Sequence, residues 1–236
     1  MGLRIVDMPS PNRDARNAPV DMLVLHYTGM KTADEALARL TDPRSKVSAH
    51  YTIGRDGRVY AHVPEELRAW HAGVSYWAGE SNVNARSIGI ELVNPGHEFG
   101  YEPFAETQIS ALIDLCAGIF ARHAIPARRV VGHSDVAPAR KEDPGELFPW
   151  KNVAEFGIGL WPELSSPVRG AGALRSETEG ALFAANLSRF GYGVPPDVDV
   201  PLEKVIAAFQ RHYRPSCIDG IADSECAALL AGLLAA

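Results

Sequence analysis

Val130-Val131-Gly132-His133-Ser134-Asp135, followed shortly by Lys141-Glu142-Asp143-Pro144-Gly145, is the stretch on which the reading of this chain turns. An apolar pair running into Gly132 marks the end of a strand. The imidazole, ammonium and carboxylate after it stand on a loop that Pro138 and Pro144 hold extended. Polar groups fixed at a strand end are a common mounting for a metal. His133 and Asp143 supply two ligands, whereas a catalytic zinc site takes three from the protein and keeps a fourth position for water or substrate. The best third donor is His26, at the end of the apolar strand Met22-Leu23-Val24-Leu25-His26-Tyr27-Thr28. Each histidine taken alone is more often structural than metal-bound; the joint pattern carries the reading.

Working outward, Ser87-Ile88-Gly89-Ile90-Glu91-Leu92-Val93 is a second strand, with Gly89, Glu91 and Val93 on one face. A carboxylate in an apolar strand is costly unless something polar faces it. Glu91 is either a solvated residue of an edge strand or, beside a cation, a general base. In the second case Gly89 leaves room for a substrate chain on the same face. Ser48 to Val63 reads as a hairpin turning at Asp56-Gly57, with His50 and His62 in its strands. Pro64 to Asn84 has no period and reads as a long loop lined by Trp70, His71 and Trp77, of the kind that often binds ligands. Asn84 and Arg86 follow it, Asn84 as a possible hydrogen-bond partner for a peptide or sugar and Arg86 as a solvated surface group.

Thr32 and Glu35 form a capping box opening a short helix, and Ala105 to Ala124 carries one apolar stripe at helical spacing. Composition shifts toward Gly, Pro and Ser after Pro149, placing a boundary near Pro167. Three helices are expected beyond it: one capped by Ser176 and ending at Phe190, one from Pro201 to about Tyr213, and one from about Asp223 to Leu234.

In order along the chain, Leu25-His26-Tyr27-Thr28, Ser48-Ala49-His50-Tyr51, Trp70-His71-Ala72-Gly73, Ile88-Gly89-Ile90-Glu91, Gly132-His133-Ser134-Asp135 and Lys141-Glu142-Asp143-Pro144-Gly145 resemble the type 2 (AmpD/AmiD-like) N-acetylmuramoyl-L-alanine amidases. The resemblance runs from about His26 to Trp150. It implies a mixed α/β sheet flanked by helices, of the amidase and peptidoglycan-recognition kind, in residues 1–167. It also implies zinc held by His26, His133 and Asp143, Glu91 as general base, and Lys141 as stabiliser of a tetrahedral oxyanion. His50, Trp70, His71 and Asn84 are then expected to contact substrate, His50 alternatively to support a ligand. The substrate class is peptidoglycan or muropeptides, including 1,6-anhydromuropeptides, cleaved at the amide between N-acetylmuramic acid and L-alanine. Phe190-Gly191-Tyr192, Ala208-Phe209-Gln210 and Asp219-Gly220-Ile221-Ala222 resemble a small three-helix peptidoglycan-binding domain in residues 168–236, with a bundle that only packs on the catalytic domain as the other reading. A phage-type lysin of the same chemistry and a recognition module without catalysis are the alternative functions. The second would lack a ligand or the base, and this chain has both.

With 236 residues, 46% hydrophobic, the chain has material for one large core and a small extra unit. A net charge of -6 argues against a nucleic-acid partner, which needs clustered Lys and Arg. No apolar run is long enough to span a membrane and the first twenty residues show no secretion signal. With the odd cysteine count of Cys116, Cys217 and Cys226, this leads to an expectation of cytoplasmic location, or of the periplasm or envelope where a leader has been removed. Oligomeric state is left open.

Overall fold

The two apolar strands lie side by side in the middle of a six-stranded mixed sheet. The computed structural model describes residues 3–163, 172–174 and 176–236. In chain order the first elements are β1 (Ile5–Asp7), β2 (Arg13–Ala15), β3 (Met22–Tyr27), α1 (Ala33–Thr41), β4 (Tyr51–Ile53), β5 (Val59–Ala61) and β6 (Leu67–Ala69). The chain continues with α2 (Val83–Arg86), β7 (Ser87–Leu92), α3 (Gly96–Phe99), α4 (Glu106–Arg122), β8 (Val130–Gly132), α5 (His133–Val136) and α6 (Trp150–Ala154). After the undescribed segment come α7 (Glu177–Phe190), α8 (Leu202–Tyr213) and α9 (Ser224–Ala235). The boundary expected near Pro167 lies outside the described residues.

The strand order is β1-β5-β4-β7-β3-β8, with β4 antiparallel to β5 and every other pairing parallel. β7 therefore sits between β4 and β3, which removes the edge-strand explanation for Glu91. The register sets His26 of β3 opposite Glu91 of β7. Because side chains alternate, Leu23, Leu25, Ile88 and Ile90 face one way and pack on Leu112, Leu115, Cys116 and Ile119 of α4. Met22, Val24 and Val131 face the other way, and their apolar neighbours are the C-terminal helices: Phe183, Leu187, Phe190, Val205 and Phe209 belong to the same buried cluster. On this second face, toward the carboxyl ends of the parallel strands, apolar residues give way to Gly89, His26 and Glu91. Carboxyl ends of parallel strands are where open α/β sheets bind ligands.

The helices begin where the caps place them. Thr32 and Glu35 make a reciprocal capping box on α1, Ser176 and Glu179 do the same on α7, and the Asp223 side chain accepts from the Cys226 amide at the start of α9. The segment read as one long aperiodic loop contains β6, which pairs antiparallel with β2 through a register of Arg13 with Ala69. No turn signal marks the three-residue strands there, so this small second sheet was hidden. Arg86, read as a solvated residue, instead makes ion pairs with Asp21 and Glu80.

Candidate active site

His26 is the penultimate residue of β3, His133 follows β8 directly as the first residue of α5, and Asp143 lies on the loop beyond. Adjacent parallel strands bring them together. His26 Nδ1 is 2.9 Å from His133 Nδ1 and 2.9 Å from Asp143 Oδ2, and His133 Nδ1 is 3.0 Å from the same oxygen. All three residues are buried.

The hydrogen bonds behind this triangle fix its tautomers. Ser87 Oγ donates to the Val83 carbonyl at 2.7 Å, so it accepts from His71 Nε2 at 3.1 Å. His71 Nδ1 is then an acceptor, and the His26 Nε2–H donates to it at 3.0 Å. His133 Nε2 donates to the Ala72 carbonyl at 3.0 Å. In both neutral rings Nδ1 therefore keeps a lone pair, and the two lone pairs meet a carboxylate oxygen. Three acceptors converging on one point call for a cation, and two imidazoles with one carboxylate are the donor set of a catalytic zinc site. The residues fit a divalent metal.

Electrostatics agree with a neutral His26. Burial, reinforced by His133, pushes His26 down to about 4 against the pull of Asp143. Burial alone would raise the Asp143 carboxyl, but His133 and His26 hold it well below the ordinary carboxylate range. Burial pushes His71 well below the usual histidine value, helped by His26 and His50. Glu91 goes the other way: burial first and the Asp143 carboxylate second raise it well above the ordinary range, while Lys141 opposes them. Its Oε2 is shut off from solvent and has no hydrogen-bond partner. A carboxylate without a donor, aimed into a cleft, is well disposed to take a proton.

The triangle forms part of the wall of a cleft of about 390 Å³ that is also lined by Glu91, Lys141, Trp70 and His71. His50 and Asn84, expected at the substrate, do not line it. His50 is buried, accepting from the Gly89 amide on Nδ1 at 2.9 Å with Nε2 beside the Leu67 carbonyl at 3.2 Å; burial and then Arg16 bring it down to about 3. Asn84 Oδ1 accepts from the amides of His71 and Ala72, at 3.1 and 2.8 Å, and so shapes the loop under the metal triangle. The space at Gly89, expected for substrate, is taken by His71: a Cβ there would lie 2.4 Å from His71 Cγ. His71 reaches the cleft, but both ring nitrogens are engaged by His26 and Ser87.

Sequence reasoning passed over several participants. Ser87 shares a strand face with Gly89 and Glu91, so the two-residue period that singled out Glu91 pointed to it as well. His97 stands at the cleft wall, hydrogen-bonded to Tyr27 at 2.9 Å and to Glu146 at 3.1 Å, and Glu146 raises its pKa. Nothing local in the sequence marks it. Arg140 pins the Trp70–Ser75 loop through the Ala72 and Val74 carbonyls.

The family model for N-acetylmuramoyl-L-alanine amidase matches residues 16–146. The chain belongs to the N-acetylmuramoyl-L-alanine amidase family. Its relatives include the N-acetylmuramoyl-L-alanine amidase AmiD of Escherichia coli, 41% identical over 91% of this chain and 82% of AmiD. The 1,6-anhydro-N-acetylmuramyl-L-alanine amidase AmpD of Haemophilus influenzae is 35% identical over 60% of this chain and 86% of AmpD. The solved complex of E. coli AmiD with anhydro-N-acetylmuramic acid-L-Ala-D-gamma-Glu-L-Lys superposes with a TM-score of 0.82 at 40% identity, covering 94% of this chain and 92% of that one. The amidase thus shares its mixed sheet, its flanking helices and the extent of its C-terminal part with an AmiD-type structure.

Proposed function

We propose that this amidase hydrolyses the amide joining N-acetylmuramic acid to L-alanine in muropeptides, with a zinc ion held by His26, His133 and Asp143. The observation that carries the reading is the convergence of three acceptor atoms within 3.0 Å of one another, beside the unpartnered carboxyl of Glu91. A zinc ion in that position supplies a Lewis acid that brings a water toward a pKa of roughly 7 and polarises a carbonyl.

The chain's own groups do the rest. Glu91 accepts the proton of the attacking water, which its raised pKa favours, and returns it to the departing L-alanine amine. Lys141, two residues from Asp143 and on the cleft wall, donates to the carbonyl oxygen as that oxygen gains charge. Trp70 offers an apolar surface at the cleft for the sugar or peptide. His71 and the Ala72 carbonyl hold the two imidazoles in the tautomer that presents Nδ1.

The solved AmiD complex holds an anhydromuropeptide, which supports released fragments as substrates here. Incubation with defined muropeptides and with intact sacculi, followed by mass identification of products, tests this. The expected result is a muramoyl product and a free stem peptide beginning with L-alanine; intact substrate with zinc-loaded protein would overturn it. A cytoplasmic location is part of the proposal, supported by the three free cysteines, and cell fractionation tests it.

A further inference from the structure

The carboxylate of Asp135 joins the metal loop to the C-terminal helices. It lies on α5, the same four-residue helix that begins with His133. Its Oδ2 accepts from the Gly132 amide at 2.7 Å, just ahead of the ligand, and from His212 Nδ1 at 2.7 Å. Its Oδ1 accepts from Tyr192 Oη at 2.7 Å. Asp135 and Tyr192 are 1% exposed and His212 is 2% exposed. Tyr192 follows α7 and His212 lies in α8, so two separate parts of the C-terminal region reach the same carboxylate. The His212 ring is itself clamped, stacked on Trp150 with centroids 3.8 Å apart and on Tyr213 at 3.9 Å.

Packing alone does not call for this arrangement. A buried carboxylate costs several kcal/mol to desolvate, and apolar residues of similar volume are usually as good or better for stability. What three donors on one carboxylate provide is direction. They fix the rotation of α5 about β8, and with it the line along which His133 Nδ1 points. We propose that Tyr192 and His212 are positioning residues for the metal site, acting on His133 through Asp135, so that the C-terminal helices complete the catalytic centre. The proposal rests on the zinc reading given above.

The test uses the full chain carrying Tyr192→Phe, His212→Ala or His212→Asn, the last retaining a donor near the Nδ1 position. Leu229→Ala in α9, a buried change in the same cluster but away from Asp135, serves as control. Zinc affinity by chelator competition, thermal unfolding and amide hydrogen exchange across Gly132–Val136 are measured on each. Tyr192→Phe and His212→Ala are expected to weaken zinc binding about tenfold, at the low end of what supporting partners of metal ligands are worth, and to speed exchange of the Gly132–Val136 amides. His212→Asn should recover part of both, and Leu229→Ala should lower the melting temperature while leaving zinc affinity unchanged. Unaltered affinity and exchange in the folded Tyr192→Phe protein would overturn the proposal, as would an equal loss of affinity in Leu229→Ala. If His212→Ala fails to fold, Tyr192→Phe and His212→Asn decide. If the wild type binds no zinc, the functional reading fails by itself, and hydrogen exchange still decides whether the tail orders the loop.

Discussion

Adding one methyl group at Gly89 should damage the metal site without touching any ligand. A Cβ there would lie 2.4 Å from His71 Cγ and 2.6 Å from Cδ2 and Nδ1, whereas carbon atoms rest about 3.5–4.0 Å apart. The ring must withdraw by about 1 Å, and it has little freedom to do so. His71 is buried, with the His50 ring centroid 5.8 Å away and hydrogen bonds to His26 and Ser87. Overpacking of this kind costs about 1–3 kcal/mol, which for a chain of this size lowers the melting temperature by about 2–4 °C per kcal/mol. Displacing His71 also releases the His26 Nε2–H from its acceptor, and loss of such a partner weakens metal binding by about 10–100-fold. The assay is zinc titration against a chelator, with thermal unfolding in parallel, on wild type, Gly89→Ala, His71→Ala and the double variant. If His71 transmits the effect, Gly89→Ala adds little to His71→Ala. Wild-type zinc affinity in Gly89→Ala, or full additivity in the double variant, would refute the reasoning.

Other outcomes follow from the same geometry. His26→Ala, His133→Ala and Asp143→Ala should each lower zinc content and abolish turnover, as metal analysis of purified protein will show. Lys141→Met should keep zinc yet lose about two to three powers of ten in kcat, the usual worth of one oxyanion donor; normal kcat would remove it from the mechanism. His50 sits neutral at about 3 in the fold, below the unfolded value, so the unfolded chain takes up a proton first as pH falls and stability declines from about pH 6.5 down to about 3. Its share is about 1.4 kcal/mol per pH unit, so denaturant unfolding of His50→Gln should give a shallower pH slope in that window by this amount. Removing residues 172–236 bares Met22, Val24, Val131 and Val136, and the shortened chain is expected to aggregate or melt earlier; a soluble fragment of unchanged stability would contradict this packing role.

The elements with a sustained period were legible in the sequence. β3 and β7 showed their alternation, α4 its stripe, and the capping residues Thr32 and Ser176 marked helix starts. The grouping of His26, His133 and Asp143 was legible because β3 and the segment after β8 meet at one edge of a parallel sheet, and Glu91 and Lys141 line the same cleft. β2 and β6 were not, since no turn signal such as Asp56-Gly57 marks strands of three residues there and their pairing depends on contacts far apart in the chain. The roles of His50 and Asn84 depended on which way a loop folds: both turned inward, one against the Gly89 amide and one against the His71 and Ala72 amides. Asp135 read as a motif residue, but its side-chain partners lie 57 and 77 positions away, beyond anything local spacing conveys.

Glu91→Gln tests the central claim most directly. The substitution keeps side-chain volume and the β7 strand, and it leaves the three acceptors of His26, His133 and Asp143 in place. If Glu91 is the general base, zinc content and muropeptide binding should stay close to wild type while turnover falls by about two to four powers of ten. Zinc content and kcat measured on the same preparation decide the matter: retained zinc with a near-normal rate contradicts the account, and joint loss of zinc and activity would move Glu91 into the metal's coordination.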